Sequence, residues 1–184
     1  LITQIANDIA KDNMRAARII QTLKAIFAEK YDAIPDFVSV REVIDAVLLL
    51  SQSDLNQKQI HVEMDIEKNL QIPMSFGEAQ QLFINLFNNS VQALDSSKTP
   101  SKTIRILGKQ KGEVTEIQFE DNGLGVPVDQ QKYLFELFTG TKREGMGLGL
   151  WLCNYIVTRH GGRIQYDSLQ NTGAVFKITF TAPV

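Results

Sequence analysis

At 184 residues the chain is long enough for one domain of ordinary size plus an added element. Its hydrophobic fraction of 43% and charged fraction of 22% fit a soluble globular protein, and a net charge of -2 without a long basic run does not point to a nucleic-acid partner. The longest apolar stretch, Val43 to Leu50, is interrupted by Asp45 and too short to span a bilayer, the start shows no secretory signal, and the single Cys153 leaves no internal disulfide.

Residues 1 to about 31 read as one long helix. Ile2, Ile9, Ala16 and Leu23 repeat every seven residues, with Ile5, Ile19 and Ile26 at the offset positions and Asp12 as a polar break. Such a stripe is a coiled-coil or bundle seam that needs a partner helix. Packing on the chain's own domain is the alternative. Pro35 ends the segment, which divides the chain into residues 1–34 and 35–184.

Asp36 to Val38 is expected as a short strand, and Ser39 with Glu42 as the capping box of a helix with Val43, Val47 and Leu50 on its apolar face. Gln59 to Ile66 alternates as a strand, with Ile60, Val62, Met64 and Ile66 on one side. Ser75 and Glu78 form a second capping box, opening a helix rich in asparagine. A polar loop from Ser96 to Ser101 leads to two strands, Thr103 to Lys109 and Val114 to Glu120, turning at Lys111-Gly112. Residues 122 to 145 are loop-rich. A helix from about Met146 to His160 stops at Gly161-Gly162, and strands cover Arg163 to Ser168 and Ala174 to Thr181. The order of elements, without a regular βαβ rhythm, predicts an α+β fold. It would be a two-layer α/β sandwich, a mixed sheet covered on one face by helices and preceded by one long helix.

From Ala79 to Leu94 the asparagine helix contains no charged residue. At helical spacing Gln81, Asn85, Asn88, Asn89 and Gln92 share an arc of about 100°, opposite Leu82, Phe83, Leu86, Phe87 and Leu94. Neutral amides hold a ligand without imposing charge, and their carbonyl oxygens suit a hard cation such as Mg²⁺. An exposed amide face, or helix–helix hydrogen bonding, would use the same residues.

Two glycine clusters lie about twenty residues apart: Asp121-Asn122-Gly123-Leu124-Gly125 and Gly145-Met146-Gly147-Leu148-Gly149-Leu150. Asp121 ends a strand, where a carboxylate can accept from an exocyclic amine, while Gly123 and Gly125 leave space for a purine. A plain turn is the competing reading. Gly145, Gly147 and Gly149 lie before and at the start of the last helix, whose unpaired amides and dipole favour phosphate. No Gly-Lys-Ser/Thr follows, so this is not a P-loop. Between the clusters, Pro127 to Glu144 reads as a lid with Phe135 and Phe138 as anchors. Lys142 there could reach phosphate oxygens or simply be solvated.

Together these elements resemble the GHKL (Bergerat) ATP-binding fold, and within it the catalytic domain of sensor histidine kinases. Asn85 to Leu94 is similar to the family's N box, Asp121 to Gly125 to its first glycine box, Phe135 to Phe138 to its F box, and Gly145 to Leu150 to its second glycine box. His160-Gly161-Gly162 is similar to the His-Gly-Gly that often closes the following helix. Phe138-Thr139-Gly140-Thr141-Lys142 resembles the short lid of the nitrogen-regulator branch, with Gly140 as a small departure. Met14 to Leu23 resembles the second helix of the dimerisation and phosphotransfer hairpin. The first helix, with its acceptor histidine and following acidic residue, has no counterpart.

The resemblance implies that ATP and Mg²⁺ are the cofactors. Asn89 would ligate Mg²⁺, Asn85 would help hold the metal-phosphate end, and Gln92 would share the site. Asp121, with Gly123 and Gly125, would read adenine. The backbone of Gly145, Gly147, Leu148 and Gly149 would contact phosphates, with Lys142 in the lid. Asn85, Asn89 and Lys142 would be the catalytic set. It also implies a response-regulator receiver domain as partner, a homodimer formed through the leading helix, and a cytoplasmic setting in which any membrane attachment lies upstream. GHKL ATPases of the gyrase, mismatch-repair and heat-shock types place a water-activating glutamate where this chain has Asn85, which favours transfer over hydrolysis. A nucleotide-binding scaffold without catalysis, or a protein-serine kinase of the anti-sigma type, would use the same pocket.

Overall fold

A computed structural model describes residues 36–137, 147–168 and 173–181. The leading helix expected over residues 1 to about 31 and the boundary at Pro35 lie outside them. Strand β1 (Phe37–Ser39) runs into helix α1 (Val40–Lys58), capped by Ser39, whose hydroxyl accepts from the Glu42 backbone N–H at 3.4 Å. Strands β2 (Ile60–Ile66) and β3 (Gln71–Pro73) precede helix α2 (Phe76–Asp95). Its capping box is complete: Ser75 Oγ accepts from Glu78 N–H, and the Glu78 carboxylate accepts from Ser75 N–H. Strands β4 (Lys102–Lys111) and β5 (Val114–Asp121) form a hairpin with Gly112-Glu113 as its loop. A single turn, α3 (Val128–Gln131), then helix α4 (Gly149–Arg159), and strands β6 (Arg163–Ser168) and β7 (Ala174–Thr181) complete the described chain.

Five strands form one sheet in the order β2-β4-β5-β7-β6. The β2–β4 pair is parallel and the other pairs are antiparallel, so the sheet is mixed as expected. Strand β3 was not legible in the sequence. It pairs antiparallel with β1 in a separate two-stranded ribbon, with Val38 opposite Ile72. Helices α1, α2 and α4 form the second layer, with α2 in contact with both neighbours.

The period-2 pattern of the strands sorts their side chains between the layers. Ile104, Ile106, Ile117, Phe119, Phe176, Ile178 and Phe180 are buried in the hydrophobic core with Leu82, Phe83, Leu86 and Phe87 of α2. The opposite face of the sheet carries ion pairs. Arg105 on β4 lies between Glu63 of β2 and Glu120 of β5, and Glu116 meets both Lys111 and Lys177. The Lys111 and Lys177 bonds hold the Glu116 carboxyl below its ordinary pKa despite the opposing effect of burial.

The two layers are pinned at Phe87, fully buried and edge-on to Phe119 with ring centroids 5.7 Å apart. Phe87→Ala is expected to cost about 3–5 kcal/mol of folding stability, through lost burial and the cavity left behind. Urea unfolding measures this, and a loss under about 1 kcal/mol would contradict the central place given to that ring.

Candidate functional site

Helix α2 has two faces with different duties. Its apolar residues enter the core, while Gln81, Asn85, Asn88 and Asn89 sit half-buried on the amide stripe and Gln92 is exposed. Gln81 Nε2 lies 3.4 Å from Asn85 Oδ1, a weak bond along the helix. The side-chain Nδ2 groups of Asn85 and Asn89 are buried without a hydrogen-bond partner. A buried donor left unpaired costs about 1–3 kcal/mol. Two of them one helical turn apart are therefore an expense to the fold that an external acceptor could relieve. An amide so placed offers N–H groups to phosphate oxygens and a carbonyl oxygen to a hard cation, so these residues fit a magnesium–phosphate group.

Strand β5 delivers Asp121 to the same helix. Its carboxylate is 3% exposed. The Ser90 hydroxyl donates to Oδ2 at 3.0 Å and the Gly123 backbone N–H to Oδ1 at 2.9 Å. Burial pushes the Asp121 carboxyl above its ordinary pKa, while the Gly123, Ser90 and Ala174 hydrogen bonds pull the other way. The following Asn122 fixes the end of the sheet: its Oδ1 accepts from Thr103 N–H at 2.8 Å and its Nδ2 donates to Ser101 O at 2.7 Å.

The first glycine cluster has a local reason that the sequence did not suggest. A Cβ at Gly123 would stand 2.8 Å from the Ala93 backbone, so glycine here lets the loop lie directly against α2. At Gly125 (φ +65°) a Cβ would stand 2.7 Å from the Gly173 carbonyl. Both glycines thus serve packing of chain on chain. Gly173 itself has φ +97°, and a side chain there would run into the Asp121 carbonyl oxygen.

Of the second glycine cluster, Gly147 (φ +65°), Leu148 and Gly149 are described. Gly145, Lys142 and Phe138 lie outside the described residues. Helix α4 begins at Gly149, a few residues later than expected, with Leu148 as an N-cap that offers no side-chain acceptor. Among the described residues no side chain caps its first amides, and the positive end of the helix dipole lies behind them. A Cβ on Gly149 would lie 3.9 Å from Asn85 Oδ1, so this helix start borders the amide stripe. Deeper in α4, Cys153 is fully buried, and burial pushes its thiol pKa far up, as expected of an inert core cysteine.

The far ends of α2 and α4 are joined too. Glu78 Oε1 lies 3.8 Å from Arg159 Nη1 and 3.2 Å from His160 Nε2, the latter off the line that a hydrogen bond requires. Burial raises the Glu78 pKa, but Ser75 and His160 outweigh it and hold the carboxyl below its ordinary value. His61 stands exposed on β2. A groove of about 590 Å³ at the opposite end of the sheet, lined by residues including Phe37, Leu70, Gln110 and Phe180, shares nothing with this site.

The structure therefore gathers Asn85, Asn89, Asp121, Gly123 and Gly149 around α2. The sequence missed Ser90 and Gly173, both of which touch Asp121.

Residues 77–184 match the family model described as histidine kinase-, DNA gyrase B- and HSP90-like ATPase. The chain belongs to that family. The sensor histidine kinase ZraS of Escherichia coli O157:H7 is 30% identical over 176 residues, covering 95% of this chain and 37% of ZraS. Sporulation kinase A of Bacillus subtilis (strain 168) is 27% identical over 167 residues, covering 90% of this chain and 27% of that protein. The chain thus spans little more than a third of the first relative and about a quarter of the second. In fold it is similar to the Acinetobacter baumannii histidine kinase AdeS, with a TM-score of 0.76 at 20% identity over 100% of this chain and 84% of that one. The α+β architecture, with its mixed sheet and helices on one face, is that of the histidine kinase catalytic domains. The chain is homologous to the ATP-binding catalytic domains of sensor histidine kinases. Among the described residues no helix is long and apolar enough to cross a membrane.

Proposed function

We propose that this chain binds MgATP and transfers its γ-phosphoryl to a histidine on a helix outside the chain, from which it passes to an aspartate of a response-regulator receiver domain. The observation that supports this best is the pair of unpartnered amides at Asn85 and Asn89, on the helix that also holds Asp121 through Ser90. Asn89 would hold Mg²⁺, and Asn85 and Lys142 would steady the phosphates. Bound there, Mg²⁺ would neutralise charge on the phosphate oxygens. The backbone of Gly145, Gly147, Leu148 and Gly149 would cradle the phosphate chain, and Asp121 would accept from the adenine amine beside Gly123 and Gly125. Gln92, exposed on the same stripe, would face the mouth of the site.

In the transfer, the bond from the γ-phosphorus to its bridging oxygen breaks and a bond to the imidazole nitrogen forms, leaving ADP. Such a step needs alignment and charge neutralisation rather than a covalent group from the chain. Asn85 stands where hydrolytic relatives would place a glutamate, and an amide cannot take a proton from water. Residues 1–34 would be part of the dimerisation and phosphotransfer hairpin, of the nitrogen-regulator type, and 35–184 the catalytic unit. A homodimer would form through that leading helix, and any membrane attachment would lie upstream of it.

Incubation with γ-³²P-ATP and Mg²⁺ tests this. The chain alone is expected to acquire no label and to release little phosphate. A separately produced, histidine-bearing hairpin of a sensor kinase such as ZraS, added to it, should gain an acid-labile phosphohistidine. Steady phosphate release without acceptor would favour an ATPase, and ATP binding without either outcome would favour a scaffold. Label on His61 or His160 would overturn the assignment of an external acceptor.

A further inference from the structure

We propose that Ser90 is a positioning residue for purine selection, its hydroxyl holding the Asp121 carboxylate in one rotamer with acceptor capacity left for the amino group of an adenine nucleotide. The proposal rests on the nucleotide reading above and extends it to a residue that never touches the base.

Ser90 is 1% exposed. A hydroxyl so deep in the helix–sheet interface needs a partner, and a helical serine often finds one in its own preceding turn. Here the bond found crosses to another element, reaching Asp121 Oδ2 at 3.0 Å over 31 residues of sequence. A carboxylate offers about four acceptor sites. Gly123 N–H occupies one on Oδ1, Ser90 one on Oδ2, and the Ala174 backbone a further one. The remaining capacity suits one N–H of an exocyclic amine. A guanine presents a carbonyl oxygen at that ring position, which a carboxylate repels.

Removing the Ser90 hydroxyl frees the rotamer and takes a donor from a buried charge. The carboxyl then protonates more readily, and a protonated oxygen presents a donor to the donors of the amine. The neighbours do not mask this. Ser90 and Ala93 from α2, Ile104 from β4 and Ala174 from β7 carry no charge. From β6 the Tyr166 phenol is held above its ordinary pKa chiefly by its own burial, with smaller contributions from the Asp121 and Asp167 charges.

Dissociation constants for MgATP and MgGTP are to be measured by calorimetry across pH 5.5 to 8.5 for the whole chain, Ser90→Ala and Ser90→Thr, with melting curves for each. Ser90→Ala should fold, bind ATP about tenfold more weakly, and lose little GTP affinity, so that the preference narrows. Its ATP affinity should also begin to fall at higher pH than that of the wild type. Ser90→Thr, which keeps the hydroxyl, should restore the ATP preference and the pH profile. A Ser90→Ala chain with wild-type ATP affinity and pH profile would overturn the proposal, as would equal weakening of ATP and GTP. A wild-type chain that binds neither nucleotide would instead overturn the nucleotide reading itself.

Discussion

Asn89→Ala is expected to weaken Mg²⁺-dependent ATP binding by roughly a hundredfold or more, about 3 kcal/mol, because on the proposed function it would remove the cation ligand and a donor to phosphate together. The nucleotide-free protein should respond in the opposite sense. Asn89 Nδ2 is buried without a partner, so truncation discards an unsatisfied donor, and the melting temperature should hold or rise. Calorimetry with and without Mg²⁺, beside a melting curve, separates the two effects. Unchanged affinity would refute the role of Asn89. Lost affinity with a collapsed melting temperature would mean that the fold, not the ligand, had been damaged.

Asp121→Asn should show the second-largest effect, an ATP affinity lowered by roughly thirtyfold, about 2 kcal/mol, with preference over GTP reduced. One acceptor becomes a donor facing the amine. Its effect on stability has a sign set by the pKa. The folded carboxyl is raised above its unfolded value, so the folded state binds more protons between the two values. Stability therefore falls as pH rises through that window, and the full cost of the buried charge is present above it. Asp121→Asn removes that cost. Without nucleotide the variant should be at least as stable as the wild type at neutral pH, and any advantage should vanish in acid below the ordinary aspartate range. Unfolding curves at pH 7 and pH 3 check this, and equal ATP selectivity before and after the change would discard Asp121 as the purine reader.

Elements marked by two independent signals were legible in the sequence. The helix at Phe76–Asp95 had both a capping box and an amphipathic stripe, and its start was foreseen to the residue. Strands β6 and β7 had clean alternation between glycines and matched their expected limits. Strand β3 has three residues ending in Pro73, and only its pairing with β1 makes it a strand, a relation that no local pattern contains. Helix α4 begins later than its apolar pattern suggested because Gly147 takes φ +65°, outside the right-handed helical range.

At the site, Asn85, Asn89 and Asp121 were visible because polar groups stood out in apolar or glycine-rich settings. Ser90 was not, because it lies on the core side of α2, where a small residue reads as filler. Gly173 was hidden for a related reason: its purpose is a steric limit set by Asp121, some fifty residues away. At Gly123 and Gly125 the structure adds a reason that the sequence did not contain, close contact between loop, helix and strand.

The division of α2 into a folding face and an amide face bears on how such a domain can drift. Its leucines and phenylalanines are guarded by the need to fold, whatever the chain is used for. On the proposed function Asn85 and Asn89 would be guarded by chemistry, while their buried, unpartnered side-chain N–H groups make fold maintenance favour their loss. If phosphoryl transfer is the activity, a chain released from selection for it would keep its fold and outer shape while losing its site, and one substitution would separate the silent copy from the active one.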